Sequence, residues 1–229
     1  MKQKDFMIQW RFFFFLFLQV IVYAESPYIY TNSDPVYLDK TKVQIEKFLP
    51  APPKDGDTTD KKDFATILQY QKSRTKEDCE RAAAVVRVDF KTFFGPPYGP
   101  LSDEEISKIP DTYRQIAVDT DYFVQQIKRT TLRQRPFNRN KNITPCVKLE
   151  TTLAYPSGHS TISRVLAKLL AFRFPEKKVS LLARAEQIAE DRVMAGVHHP
   201  SDIAAGKKLG NKIYDLFLKN KKLMSEIKK

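Results

Sequence analysis

Residues 112–136, TYRQIAVDTDYFVQQIKRTTLRQRP, set the expectation for the fold. One set of side chains recurs in this stretch at steps of three and four, which is the period of one face of an α-helix. Pro136 disfavours a helical conformation of Arg135, so the helix should end at Arg135. The stretch therefore predicts a long amphipathic helix over 112–134 whose buried stripe is Tyr113, Ile116, Ala117, Thr120, Phe123, Val124 and Ile127.

The same spacing returns on both sides of this stretch. Later segments with a helical stripe cover 162–172, 179–193 and 203–217, and earlier ones cover 64–70 and 77–93, with a capped start at 102–105. Alternating strand patterns are scarce, and no internal repeat is visible. The chain is therefore predicted to form an all-α bundle of six or more helices.

Residues 1–24 are predicted to be a signal peptide, because a charged start precedes an apolar core, Phe12–Ala24, that ends in a small residue. The core is shorter than the roughly 20 residues that span a bilayer. An uncleaved anchor is the alternative. After cleavage we expect a periplasmic or secreted protein without stable membrane insertion, with a linker-like extension over 25–63 and the helical domain over 64–229.

The net charge of +12 favours anionic partners such as phosphorylated small molecules, nucleic acid or anionic membranes. Much of this charge lies in surface-like runs such as 219–229, so charge alone selects none of them. Cys79 and Cys146 form either one disulfide or two buried thiols, and their spacing suggests neither a zinc site nor a catalytic cysteine.

Residues 112–136 also carry Lys128 and Arg135, seven residues apart. On a helix, this spacing places both on one face. A guanidinium can bind two phosphate oxygens, and a lysine adds a point charge. Taken alone, such a pair is common on solvated helix surfaces.

Pro156-Ser157-Gly158-His159 lies just before a predicted helix. The N–H groups at a helix start have no partners within the helix and can bind an anion. Gly158 permits close approach, Ser157 adds a hydroxyl, and His159 would lie beside the anion. The alternative is a serine cap next to an incidental histidine.

The third segment, RVMAGVHHPSD over 192–202, begins with Arg192. Pro200 is predicted to open a helix, with Asp202 in its first turn. Asp202 can then contact one ring nitrogen of His198 and leave the other free to act as a nucleophile. His199 precedes the proline and is expected to point elsewhere, in a structural role.

In this order, Lys-x6-Arg-Pro, Pro-Ser-Gly-His and Arg-x5-His-x3-Asp resemble the signature of the phosphatidic acid phosphatase type 2 (PAP2) superfamily. Leu49–Pro53, Phe94-Gly95-Pro96 with Gly99, and Arg135-Pro136-Phe137 are further similar to class A bacterial non-specific acid phosphatases, over roughly residues 48–220. One departure is Asp191, where the family often has serine. A carboxylate there would repel phosphate if it faced the pocket.

The resemblance implies a fold of the PAP2 and vanadium haloperoxidase type and a vanadate-sensitive acid phosphatase with no metal or cofactor. It implies that His198 attacks phosphorus to form a phosphohistidine, that Asp202 orients His198, and that His159 serves as acid and base. The implied phosphate ligands are Lys128, Arg135, Ser157, Gly158 and Arg192. Because both histidines ordinarily titrate near 6.5, activity should peak on the acidic side.

Several alternatives remain at this point. A lipid phosphatase or a vanadium-dependent haloperoxidase would share the superfamily signature, although haloperoxidase chains are typically much longer. A zinc hydrolase using His159, His198 and Asp202 is disfavoured by the three neighbouring cations. A non-catalytic anion-binding protein is disfavoured by the completeness of the cation, histidine and aspartate set. The expected partners are small phosphorylated molecules rather than nucleic acid, and homo-oligomers are left open.

Overall fold

A computed structural model describes residues 34–41 and 43–227 of the chain. The predicted signal peptide lies outside the described residues, as do the first residues of the predicted extension. Within the described residues the regular structure is helical and contains no strand. The prediction of an all-α fold is confirmed.

Ten α-helices occur in the described part of the chain, together with 3₁₀ segments at Ile45–Phe48 and Pro175–Lys177. They are α1 (Thr58–Ser73), α2 (Lys76–Ala84), α3 (Phe90–Phe94), α4 (Asp103–Ser107), α5 (Thr112–Thr131), α6 (Pro136–Arg139), α7 (Gly158–Arg173), α8 (Lys178–Met194), α9 (Pro200–Phe217) and α10 (Lys221–Ile227).

Helix α7 lies at the centre, packed against α5, α8 and α9. The two glycines of α9 allow this helix to approach α7 closely. A β-carbon on Gly206 would lie 2.7 Å from the carbonyl oxygen of Ser157, and one on Gly210 would lie 2.8 Å from that of Thr161. This close contact brings the first turn of α9 next to the first turn of α7.

Two predicted helices end earlier than their apolar patterns suggest. The segment 77–93 is not one helix: α2 stops at Ala84, and α3 begins after Asp89, whose carboxylate accepts a hydrogen bond from the Thr92 amide at 2.9 Å. Three valines between them are stiff, β-branched residues with low helix propensity. Helix α5 ends at Thr131, because Leu132 adopts a left-handed conformation with φ of 53°.

The residues before 64 contribute to the helical domain. Helix α1 begins at Thr58, where the Asp57 side chain accepts from the Asp60 amide and caps the first turn. Leu38 is a buried member of the main core, with Phe48 and Leu49 packed against that core. The predicted boundary at residue 64 therefore falls inside a packed helix.

Cys79 and Cys146 form a disulfide with a Cα–Cα distance of 5.7 Å. It joins α2 to the segment between α6 and α7, which resolves the choice between a disulfide and two thiols. None of the described helices combines the length and the apolar character needed to cross a membrane.

Candidate active site

The three sequence motifs meet where the ends of α5 and α8 approach the starts of α6, α7 and α9. All eight predicted site residues are buried there: Lys128, Arg135, Ser157, Gly158, His159, Arg192, His198 and Asp202. Lys128 and Arg135 do not share a helix face, because α5 ends between them. They converge through a common partner, Thr152, whose hydroxyl accepts from Lys128 Nζ at 3.3 Å and from Arg135 Nη2 at 2.9 Å.

The two nitrogens of His198 face different partners. Nδ1 lies 3.3 Å from Oδ2 of Asp202, and Nε2 lies 2.8 Å from Nη1 of Arg135. A guanidinium can only donate, so Nε2 carries the lone pair and Nδ1 carries the proton. Burial and then Arg135 hold the pKa of His198 well below its ordinary value. This is the tautomer that a nucleophilic Nε2 requires.

The ring of His159 is oriented by a backbone carbonyl. Its Nε2 donates to the carbonyl oxygen of Val85 at 2.8 Å, so its Nδ1 faces inward, 3.8 Å from Oε1 of Glu150. Burial, followed by Arg192, lowers the pKa of His159 to about 3. The pKa of each histidine in the folded protein is therefore below the ordinary value of about 6.5 on which the predicted acidic optimum rests. A bound dianion next to Nδ1 would raise the pKa of His159.

The sequence suggested that His199 points away from the site, but in the structure its side chain faces Asp202. Its Nδ1 lies 2.8 Å from Oδ2 of Asp202, the same oxygen that accepts from the His199 amide at 2.8 Å. Its Nε2 lies 3.0 Å from Nη1 of Arg139. Pro200 holds His199 in an extended backbone conformation, and the side chain then folds over the first turn of α9.

Asp202 has a further partner that the sequence reasoning missed. Nη1 of Arg133 donates to Oδ1 of Asp202 at 2.7 Å, and its Nη2 donates to Asp60 at 3.3 Å and Asp63 at 3.1 Å. Against the effect of burial, hydrogen bonds from His198 and His199 hold the pKa of Asp202 well below its usual range. The sequence carries only a weak signal for this role of Arg133. Its partners Asp60 and Asp63 lie in a segment that otherwise looks like a linker leading into a helix.

Glu150 is the second residue that the motifs did not reveal. Its carboxylate accepts from Nη2 of Arg135 through Oε2 and from Nη2 of Arg192 through Oε1, the latter at 2.5 Å. Against the effect of burial, Arg135 and Arg192 hold the pKa of Glu150 well below its usual range. A single glutamate between two motifs carries no local pattern that could have identified it.

The remaining predicted phosphate ligands lie at helix ends. The Ser157 hydroxyl accepts from the Ser160 amide at 3.3 Å and caps α7, so the capping interpretation holds, and its own hydrogen is still available to donate. Gly158 is the first residue of α7. Burial and then Arg135 lower the pKa of Lys128 to about 7.

Asp191 does not face the pocket. Its carboxylate lies 2.7 Å from Nη2 of Arg81 on α2 and 4.0 Å from Nη1 of Arg184. The neighbouring Arg192 points elsewhere and donates to the Ala82 carbonyl and to Glu150. The aspartate that departs from the family pattern at 191 therefore forms a partly buried ion pair with Arg81 instead of facing the predicted phosphate ligands.

The part of the chain that carries the site is similar to known proteins. Residues 116–212 match the PAP2 superfamily. The predicted resemblance is thereby confirmed, and this range contains the Lys128–Arg135 pair, the Pro156–His159 segment and the Arg192–Asp202 segment.

Relatives with assigned activities extend the PAP2 likeness beyond that range. The chain is 27% identical over 209 residues to the non-specific acid phosphatase of Salmonella typhi, covering 86% of this chain and 81% of that protein. It is 28% identical over 209 residues to that of Providencia stuartii, covering 83% and 82%. A structure of a bacterial vanadium-dependent iodoperoxidase superposes with a TM-score of 0.57 at 15% identity, covering 77% of this chain and 53% of that one. The last likeness concerns the fold alone.

Proposed function

We propose that this protein is a metal-independent acid phosphatase that hydrolyses phosphate monoesters through a phosphohistidine. The observation that carries the proposal is His198, whose Nδ1 faces Asp202 while its Nε2 accepts from Nη1 of Arg135, with Arg192 and Lys128 buried in the same site. The acid phosphatases named above, which align with most of the chain, support the same activity. The expected substrates are small phosphorylated molecules.

In the proposed first step, Nε2 of His198 attacks phosphorus, and the ester P–O bond breaks. The leaving alkoxide takes a proton from Nδ1 of His159, whose Nε2–H stays on the Val85 carbonyl. In the second step, His159 takes a proton from water, the resulting hydroxide attacks phosphorus, and the P–N bond breaks. Arg135, Arg192, Lys128 and the start of α7 stabilise the phosphoryl oxygens through both steps.

The test is hydrolysis of p-nitrophenyl phosphate by wild type and His198→Ala between pH 4 and 9, with chelator and with vanadate. We expect His198→Ala to lower kcat by on the order of a thousandfold or more. We expect chelator to have no effect, and vanadate to inhibit. Lys212→Ala, at an exposed position of α9, is the control. Undiminished hydrolysis by His198→Ala, or loss of activity in chelator, would contradict the proposal.

The same protein preparations separate the rival functions. A lipid phosphatase would prefer a phosphatidylglycerol phosphate to p-nitrophenyl phosphate, and a haloperoxidase would oxidise halide with vanadate and peroxide. We also propose that the chain acts in the periplasm or outside the cell, which the Cys79–Cys146 disulfide supports. Recovery of the active protein only from the cytoplasm would contradict that location.

A further inference from the structure

Residues 147–153 cover the cations of the site, and we call them the cover segment. The Thr152 carbonyl accepts from Arg135 Nε at 2.7 Å, and the Leu153 carbonyl accepts from Lys128 Nζ at 2.6 Å. The Glu150 carboxylate lies between Arg135 and Arg192 and accepts from both. The chain's own oxygens therefore occupy donors of all three cations that the mechanism assigns to phosphate.

The Glu150 carboxylate lies where a phosphoryl group would bind. Each of its oxygens accepts from a different guanidinium, the arrangement expected for two phosphoryl oxygens held by the same two arginines. It also lies on the side of the anion site from which Nδ1 of His159 would act, 3.8 Å from that nitrogen. A substrate cannot use both guanidiniums while the carboxylate remains between them.

We propose that Glu150 is a specificity-determining residue that competes with the substrate for Arg135 and Arg192, so that a phosphate monoester binds by displacing the Glu150 carboxylate. This inference rests on the proposed function, because it takes the phosphoryl group as the ligand of these arginines. The competition is intramolecular, so the carboxylate is present at a high effective concentration at any substrate concentration.

The competition favours anions that offer more acceptor oxygens and more negative charge than a carboxylate does. Among the described residues, Nε of Arg192 is buried without a hydrogen-bond partner, so the carboxylate leaves a donor of this arginine unused. A monoester dianion brings three terminal oxygens and a second charge, which can satisfy that donor as well. A singly charged diester offers two such oxygens and no more charge than Glu150 itself. Glu150 therefore selects for monoesters.

The cover segment can release Glu150 without unfolding the domain. Lys148, Leu149 and Thr151 are exposed, Leu149 by 53%, so the residues on either side of Glu150 have few contacts to lose. The segment is anchored at both ends, by the disulfide at Cys146 and by the buried Ala154, whose amide donates to the Arg133 carbonyl at 2.8 Å. Displacement then needs only a rearrangement between these anchors.

The first test is the affinity for inorganic phosphate, measured by titration calorimetry on Glu150→Gln, Glu190→Gln and wild type. If the carboxylate occupies the arginines for at least about 90% of the time, Glu150→Gln should bind phosphate about tenfold or more tightly. Glu190→Gln removes the same charge from a half-exposed position on α8 and should bind like wild type. Equal affinities for all three proteins would overturn the proposal.

The second test uses wild type alone, so it does not depend on how well a variant folds. Hydrogen exchange of the amides in the cover segment is compared with and without saturating phosphate. Displacement of Glu150 predicts faster exchange at 148–152 in phosphate, whereas slower or unchanged exchange there would overturn the proposal. Both tests measure phosphate binding without turnover. A protein that passes them but cleaves no ester would refute the proposed function and leave standing only the competition between Glu150 and phosphate for the two arginines.

Discussion

At the scale of single residues, the Asp202 carboxylate is shared among three neighbouring residues of the site. Its two oxygens accept from Arg133, from the ring and amide of His199, and contact Nδ1 of His198 at 3.3 Å. The contact with the proposed nucleophile is the longest of these. The aspartate is therefore held in place mainly by Arg133 and His199, which then present it to His198.

His199→Ala tests this division of labour. Loss of a buried hydrogen bond to a charged group should lower the free energy of unfolding by about 2 kcal/mol. It should also lower kcat, because Asp202 loses a fixed position. Chemical denaturation and p-nitrophenyl phosphate hydrolysis measure the two effects, with Lys212→Ala as the exposed control. A variant that matches wild type in both would show that His199 does not help to position Asp202.

At the scale of elements, the contact between α7 and α9 determines where the motifs meet. A β-carbon on Gly206 would press on the Ser157 carbonyl at 2.7 Å, beside the proposed phosphate ligands. A β-carbon on Gly210, one turn further along α9, would press on Thr161 at 2.8 Å and on Arg164 Cβ at 2.9 Å. Alanine at Gly210 should therefore disturb only the packing of α9 on α7, whereas alanine at Gly206 should also disturb the geometry of the site.

Gly206→Ala and Gly210→Ala should each destabilise the protein by about 1–3 kcal/mol through overpacking. Only Gly206→Ala should also weaken phosphate binding, because it moves the first turn of α7. Thermal unfolding and phosphate titration provide the two measurements. Equal losses of phosphate affinity in both variants would mean that the position of α7 as a whole, and not its first turn, controls the site.

The sequence predicts the existence of the long helices well, because they depend on short-range patterns. Periodicity locates α5, α7, α8 and α9, and Pro200 marks the start of α9. Glu150 and Arg133 could not be predicted, since their roles arise from contacts with residues 15 to 73 positions away. The direction of the His199 side chain was predicted wrongly, because Pro200 constrains the backbone of His199 but not the rotation of its side chain.

At the scale of the whole molecule, the buried histidines make the fold sensitive to acid. In the folded protein burial keeps the pKa of His159 at about 3 and that of His198 well below 6.5. The unfolded chain binds protons at both below 6.5, so stability falls as the pH drops through that value. Asp121 has the opposite effect, because burial raises its pKa to about 6 and the folded protein therefore binds one proton there before the unfolded chain does.

We therefore expect the free energy of unfolding to decrease by roughly 1–3 kcal/mol for each pH unit between 6 and 4, since each histidine contributes about 1.4 kcal/mol per unit. Urea titrations at several pH values measure this slope. Saturating phosphate should reduce it, because a bound anion raises the pKa of the histidines in the folded state. A free energy of unfolding that is constant over this range would show that both histidines titrate normally.

The Cys79–Cys146 disulfide connects oxidation of the chain to the organisation of the site. Cys79 lies on α2, and Cys146 immediately precedes the cover segment that carries Glu150. The Ala82 carbonyl of α2 accepts from Arg192, and the carbonyl of Val85, which follows α2, accepts from His159. Oxidation therefore links covalently the residues that orient the proposed acid and those that contact the phosphate ligands. A newly made chain in a reducing compartment would lack this link, so we expect the site to become fully organised only once the disulfide has formed.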